Sequence, residues 1–169
     1  MRCYFNIPIL IVLTSLFYGC GSIAPKYNYQ EIARASIRLG MDISIKDNHT
    51  LYIESSKWLG VPYRRGGNTL EGVDCSGFTS AIYKKVYRRK LERNSENQRN
   101  KDCRKVKKRN LREGDLVFFH NGKKKKRATH VGIYLKDQKF IHASTRQGVI
   151  VSRLDEVYWE KHWLSGGRP

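Results

Sequence analysis

The fold of this chain is decided by two stretches of sequence, DCSGF at residues 74–78 and THVGIY at residues 129–134. Apolar residues follow Cys75 at the spacing of an amphipathic helix, which places the cysteine in its first turn. These residues are Phe78, Ala81, Ile82 and Val86. From His130 onward, polar or small residues alternate with apolar ones, the pattern of a strand with one face in a core. Because helices come first and strands follow, the sequence predicts an α+β protein with an antiparallel sheet.

Cys75, His130 and His142 are the candidate reactive residues. A thiolate attacks a carbonyl carbon well, and a neighbouring imidazole can take the thiol proton and return it to a leaving amine. A third polar group must hold that imidazole in the right tautomer. A hairpin centred on Lys136 would place His130 and His142 directly opposite each other, about 5 Å apart. The sequence therefore predicts a nucleophile, a base and an orienting residue in chain order.

The position of Cys75 at a helix start carries further expectations. The unpaired N–H groups and the macrodipole there lower the pKa of a thiol, and the Cys75 N–H can face a developing oxyanion. Gly77 is expected to leave room for a substrate backbone. A zinc site formed by Cys75, Cys103, His130 and His142 is not expected, because the chain has no Cys-x-x-Cys or His-x-x-x-His spacing. The sequence therefore implies no metal and no cofactor.

Further motifs give these stretches a family resemblance. They are VPYRRGG at residues 61–67, RNS at 93–95 with Gln98, and GDLVFF at 114–119. With the cysteine and histidine stretches, they resemble the NlpC-type cell-wall cysteine peptidases, from Leu51 to the C-terminus. The resemblance implies a papain-like fold, in which N-terminal helices carry the nucleophile at a helix start and pack on an antiparallel sheet.

The resemblance also implies a reaction and a role for each matching residue. The reaction is hydrolysis of an amide bond in peptidoglycan stem peptides or cross-links, without a cofactor. The roles are Cys75 as nucleophile, His130 as base, His142 as its orienting residue, Tyr63 near the oxyanion, and Asp74 and Ser76 on the substrate side. Two alternatives stay open. One is an acyl- or amidotransferase that uses the same acyl-enzyme, and the other is a non-catalytic protein that binds envelope polyanions.

The first residues predict export and a lipid anchor. Arg2 precedes a short apolar stretch that has the form of a secretory signal, and Gly19-Cys20 resembles a bacterial lipoprotein cleavage site. We expect a signal peptide at 1–19, a tether with a short helix at 20–50 and a peptidase domain at 51–169. An ordinary signal peptide and an uncleaved anchor are the alternatives. Lipid on Cys20 would hold the protein to a membrane of the bacterial cell envelope, expected to be the periplasmic side of the outer membrane.

Positive charge dominates the composition, with 33 Lys and Arg against 15 Asp and Glu and a net charge of +18. Such a surface attracts polyanions, including anionic envelope polymers and lipid headgroups. Two runs are densest in charge, Arg99–Arg112 and Lys123–Arg127, and are interpreted as solvated loops or, alternatively, as a binding patch. Nucleic acid is not an expected partner because the chain carries an export signal. A monomer is expected, and Cys103 is interpreted as a surface thiol in a variable loop.

Overall fold

Residues 28–123 and 125–169 are described by the computed structural model. The predicted signal peptide at 1–19 and the predicted lipidation site Cys20 lie outside the described residues. Within the described part of the chain, no helix is long and apolar enough to cross a membrane.

Two N-terminal helices, α1 (Tyr29–Leu39) and α2 (His49–Ser56), pack against each other. Each begins after an asparagine, Asn28 or Asn48, whose side chain accepts a hydrogen bond from a first-turn N–H. The short helix predicted after the tether is thus a capped helix of 11 residues, and its buried face joins the main core.

The helix α3 (Cys75–Val86) begins at the cysteine, as the apolar spacing predicted. A small antiparallel hairpin of β1 (Asn68–Thr69) and β2 (Gly72–Val73) leads into it. Phe78 and Ile82 are fully buried on the face of α3 that packs on the sheet. Helix packing therefore fixes where the first turn, and with it Cys75, lies.

The basic stretch after α3 is folded, where the sequence indicated a solvated linker. It contains the short α4 (Ser95–Asn97), a π-helical turn (Gln98–Asp102), the strand β3 (Arg104–Val106) and a 3₁₀ turn (Lys108–Asn110). Gln98 is fully buried, and its side chain bonds Thr79, Ser80 and the main chain. These buried bonds anchor a segment that composition alone presents as exposed.

Six strands form one antiparallel sheet in the order β3-β8-β4-β5-β6-β7. The further strands are β4 (Leu116–Phe119), β5 (His130–Tyr134), β6 (Lys139–Ser144), β7 (Gly148–Arg153) and β8 (Trp163–Arg168), with α5 (Val157–His162) before the last. One sheet face joins the main core with α3, and the other carries a smaller cluster with Phe119, Phe140 and Trp159. The predicted α+β class with helices on an antiparallel sheet is confirmed.

The β5–β6 hairpin differs from the predicted register. Ile133 pairs with Ile141 and Tyr134 with Phe140, so the hairpin is centred on Asp137 rather than on Lys136. The turn takes Asp137 and Gln138 into positive φ and closes with the bond from Leu135 N–H to the Lys139 carbonyl. The prediction that His130 and His142 lie directly opposite each other is therefore wrong.

Candidate active site

Cys75 is the first residue of α3 and meets the beginning of β5. Its thiol lies beside the backbone N–H of Val131, the residue after His130, and beside its own N–H and that of Ser76. Burial, followed by the nearby Asp74 carboxylate, raises the pKa of the thiol to about 11. The expected lowering of the pKa is not found, because these backbone N–H groups do not outweigh the loss of solvent. The resting nucleophile is a neutral thiol.

The rings of His130 and His142 form a hydrogen-bonded pair. Nε2 of His130 lies 3.0 Å from Nδ1 of His142, and the rings are nearly perpendicular, at 87°. The residues meet despite the shifted register because Gly132 leaves the space between them open. A Cβ on Gly132 would lie 3.1 Å from His142 Cβ and 2.7 Å from the Phe140 ring. Glycine at this position therefore gives His142 the room to reach His130.

Ser152 extends this pair and was missed in the sequence analysis. Its Oγ lies 3.0 Å from Nε2 of His142, and both residues are buried. Ser152 pairs with Phe140 across β6 and β7, which brings its side chain to the sheet face that carries His142. The only signal in the sequence was a polar residue at the end of an apolar strand.

Aromatic rings cover the histidine pair. Trp159 of α5 stacks on His130 at 5.5 Å and 22° and contacts His142 edge-on at 4.8 Å, while Phe140 stacks on His142 at 4.9 Å. The two imidazoles are thus packing partners of Trp159. Burial lowers the pKa of His130 to about 4, and burial together with His130 holds the pKa of His142 well below its ordinary value.

The raised pKa of the Cys75 thiol on α3 and the lowered pKa of the His130 imidazole on β5 thus both favour the neutral form at pH 7. The polar neighbours of the thiol include backbone N–H groups, Asp74 and Tyr63, and the ring hydrogen bond of His130 runs to His142. Such an arrangement has no preformed thiolate–imidazolium pair. The raised pKa of the thiol and the lowered pKa of the imidazole favour transfer of the thiol proton to the imidazole during the attack rather than before it.

Asp74 stabilises the start of α3 as its N-cap residue. Its carboxylate accepts hydrogen bonds from the N–H groups of Gly77 at 2.7 Å and Gly66 at 2.8 Å, and Arg93 binds it through both terminal nitrogens, at 2.7 and 3.0 Å. Burial alone would raise the pKa of Asp74, but the Arg93 and backbone bonds hold it below its ordinary value. The same arginine donates to the Gly67 carbonyl. Arg93 therefore joins the glycine loop to the nucleophile helix.

The other residues expected near the substrate lie around the Asp74–Arg93 ion pair. Tyr63 is half-buried, and burial followed by the charges of Cys75 and Asp74 raises its pKa, so its hydroxyl lies near the thiol. Ser76 is buried and donates to the Arg93 carbonyl at 2.8 Å. A Cβ on Gly77 would lie 2.2 Å from the Gly67 carbonyl oxygen. The room expected at Gly77 for a substrate backbone is therefore occupied by the chain's own loop.

The loop before β5 is fixed by α4. Ser95 Oγ donates to the Ala128 carbonyl at 3.0 Å, and Ala128 N–H donates to Glu96 Oε2 at 2.7 Å. Arg99 forms an ion pair with Glu96 at 2.8 Å. Arg99, read from the sequence as part of a charged loop, thus helps to position the segment that leads into His130.

Cys103 lies apart from this site. It sits beside Gly167 of β8 and packs half-buried against the main core, and burial, followed by Asp102, raises its pKa to about 12. Cys103 lies in the short connection before β3, as a loop residue would, but it is half-buried against the core rather than an exposed surface thiol. Among the described residues, no group of three or more His, Cys, Asp or Glu side chains could hold a metal ion.

Known proteins match both the sequence and the architecture. The NlpC/P60 family profile matches residues 60–168. The probable endopeptidase NlpC of Escherichia coli K12 is 38% identical over 161 residues, 94% of this chain and 97% of that protein. The murein DD-endopeptidase MepS/murein LD-carboxypeptidase of the same strain is 42% identical over 111 residues, which are 66% of this chain but only 57% of that protein. A crystal structure of an NlpC/P60 family protein from Bacillus cereus ATCC 10987 has a TM-score of 0.66 at 30% identity, covering 75% of this chain and 41% of that one.

Proposed function

This chain belongs to the NlpC/P60 family, and we propose that it is a peptidoglycan endopeptidase that cleaves an amide bond in stem peptides or cross-links. One observation carries the proposal. The Cys75 thiol, at the start of α3, lies beside the N–H of the residue that follows His130, and the His130 ring is hydrogen-bonded to His142 at 3.0 Å. A cysteine at a helix start beside an oriented imidazole is the arrangement that a thiol peptidase requires.

The proposed first half-reaction is transfer of the acyl group to Cys75. As the thiol sulfur attacks the scissile carbonyl carbon, His130 takes the thiol proton, at Nδ1 because Nε2 faces His142. The Cys75 N–H and the Tyr63 hydroxyl are the proposed donors to the oxyanion. When the C–N bond breaks, His130 returns the proton to the leaving amine, which leaves a thioester and a neutral imidazole.

In the proposed second half-reaction, water replaces the amine. His130 takes a proton from the water as its oxygen attacks the thioester carbonyl, and gives that proton to the departing Cys75 sulfur. The carboxylic acid product leaves, and thiol and imidazole return to their neutral forms. The low pKa of His130 keeps its imidazole neutral before each half-reaction, so that it can accept the proton of the thiol and then that of the water.

His142 and Ser152 are proposed as positioning residues. A base that accepts at Nδ1 must carry its proton on Nε2 and donate to Nδ1 of His142. His142 then carries its own proton on Nε2 and donates to Ser152 Oγ. Each bond in this series fixes the tautomer of the next ring. This supports a resting His130 whose Nδ1 is unprotonated and can accept the thiol proton.

Muropeptide digestion tests the proposed reaction. Purified peptidoglycan and defined muropeptides are incubated with the purified protein, and products are identified by mass spectrometry. Wild type should release new stem-peptide fragments whose masses identify the D,D or D,L bond, and Cys75→Ala should release none. Cys103→Ala, which removes the other cysteine of the described residues, should behave as wild type. Fragments from Cys75→Ala would contradict the proposal, and fragments ligated to a supplied amine acceptor would favour the transferase.

The proposed location is the bacterial cell envelope, on the periplasmic side of the outer membrane. The motivating observation is the apolar stretch before Gly19-Cys20, which supports lipidation of Cys20. The excess of Lys and Arg supports a second contact, between the basic runs and anionic envelope polymers. We propose that the protein works there as a monomer.

A further inference from the structure

A cavity of about 690 Å³ opens beside the histidine pair. Its walls include the rings of His130, His142, Tyr158 and Trp159. Cys75, although described, does not contribute to these walls, and its neighbour Tyr63 does not either. The base therefore lines this cavity, whereas the thiol and Tyr63 lie outside its walls.

Because His130 lines the cavity, the role of His130 in the reaction determines which part of a substrate the cavity can hold. This step rests on the proposed function, in which His130 protonates the leaving amine. The leaving part of the substrate must therefore lie against His130, whereas the acyl part lies against Cys75 and Tyr63. The volume is of the size that holds small organic ligands, so one or two amino-acid residues fit.

The cavity wall includes one cationic side chain, that of Arg146. Arg146, in the turn between β6 and β7, lines it, is exposed, and its guanidinium forms no ion pair or hydrogen bond within the described ranges. No described residue of the cavity wall is acidic. The pKa of His120, also in the wall, is lowered by burial, by His162 and by Lys125, so a second cation acts on a residue of the wall. A negatively charged group is the ligand that these walls favour.

We propose that this cavity is the leaving-group subsite and that Arg146 binds a free carboxylate of the released residue. The ligand class is an amino-acid residue that gives up its amine at the scissile bond and retains an unmodified carboxylate. A guanidinium matches a carboxylate with two parallel N–H···O bonds, which an amide cannot accept in the same way. Amidation of that carboxylate would therefore act as a chemical signal against cleavage.

The test uses two peptide substrates that differ only in this group, one with the leaving-residue carboxylate free and one with it amidated. Wild type should prefer the free acid, and Arg146→Ala should lose about tenfold or more in kcat/KM for the acid while its rate on the amide stays the same. Arg146→Lys should recover part of the preference. Arg104→Ala, an exposed cation on β3 at the opposite edge of the sheet, makes the same change in net charge and should leave the preference intact. An unchanged acid-to-amide ratio in Arg146→Ala overturns the proposal.

A binding measurement separates this subsite from the reaction itself. In a Cys75→Ala background, calorimetric titration with the released amine product should give a Kd at least about tenfold lower for its acid form than for its amide form. Adding Arg146→Ala should remove the difference. If wild type cleaves neither substrate, the proposed function fails, and the calorimetric difference still decides whether the cavity binds a carboxylate. Equal binding of both forms overturns the subsite.

Discussion

Ser152 is the residue on which the tautomer of His142 depends. Its Oγ accepts from His142 Nε2 in the proton order that leaves His130 Nδ1 free to accept from the thiol. Without the hydroxyl, the other tautomer of His142 becomes accessible, and in that tautomer Nδ1 carries a proton and repels the His130 N–H. Loss of a side-chain hydrogen bond of this kind costs about 1–1.5 kcal/mol.

The expected result for Ser152→Ala is a fall in kcat of about tenfold at an unchanged KM, since 1.4 kcal/mol corresponds to tenfold in rate. Ser152→Thr keeps a hydroxyl and should recover most of the rate. The ring ¹⁵N shifts of His142 report the tautomer directly and should show a mixture in the alanine variant. Ser165→Ala removes a buried strand serine of β8 and serves as the control. A Ser152→Ala protein with wild-type kcat and ¹⁵N shifts would contradict the positioning role.

The reactive residues were predictable from the sequence because few residue types can act as a nucleophile or a base. The residues that support them were not predictable. Cys75, His130 and His142 stand out in the sequence, and the structure brings His130 and His142 into hydrogen-bond contact. Ser152 and Gly132 gain their importance from the β5–β6–β7 register, and the sequence pattern predicts a β5–β6 turn that is one residue away from the observed one. A serine or glycine without its cross-strand neighbour gives no sign of what it contacts.

At the level of elements, α4 holds the segment that leads into β5. Glu96 joins Ala128 N–H to Arg99, and the bond from Arg99 is the main reason why the pKa of Glu96 falls to about 2, from 4.5. A carboxylate whose pKa is depressed by folding stabilises the folded state at pH values above the pKa that it has in the unfolded state. This contribution is lost as the pH falls through the pKa of the folded state. Glu96→Gln should therefore lower the free energy of unfolding by about 1–2 kcal/mol at neutral pH.

The pH dependence distinguishes this contribution from a change in packing. The difference between wild type and Glu96→Gln, measured by urea unfolding, should shrink between about pH 4.5 and pH 2, because the glutamate becomes protonated there. Glu160→Gln is the matched control, since Glu160 is an exposed residue with a loose 3.7 Å ion pair to Lys108. A difference that stays constant down to about pH 2, or that equals the control, would argue against the anchoring role.

Strands and helices whose apolar residues recur with a clear period were predictable from the sequence, and strands without such a period were not. The apolar spacing after Cys75 and the alternation in β5 lead directly to the observed α3 and β5. By contrast, β3 reads RKV, with two exposed charged residues at the sheet edge, and β8 reads WLSGGR, without alternation. Gly167 of β8 lies where a Cβ would come within 2.8 Å of Cys103 and Phe118, so close packing rather than propensity places this strand.

At the level of the whole molecule, two forces would hold the protein to the envelope. Lipid on Cys20 would contribute hydrophobic attachment, which salt does not weaken. The excess of Lys and Arg would contribute attraction to anionic surfaces, which at physiological ionic strength falls off over a Debye length of about 8 Å. The two forces therefore differ in how they respond to salt.

Cys20→Ala separates the two contributions. Wild type should incorporate labelled fatty acid and stay with the membrane fraction when the salt is raised to about 0.5 M, because acyl chains remain buried. Cys20→Ala should incorporate no label and should sediment with membranes only at low salt, held by charge alone. Cys103→Ala is the control for loss of a cysteine and should behave as wild type. A Cys20→Ala protein that remains bound at high salt would show that another segment anchors the chain, and the lipoprotein proposal would then have to be abandoned.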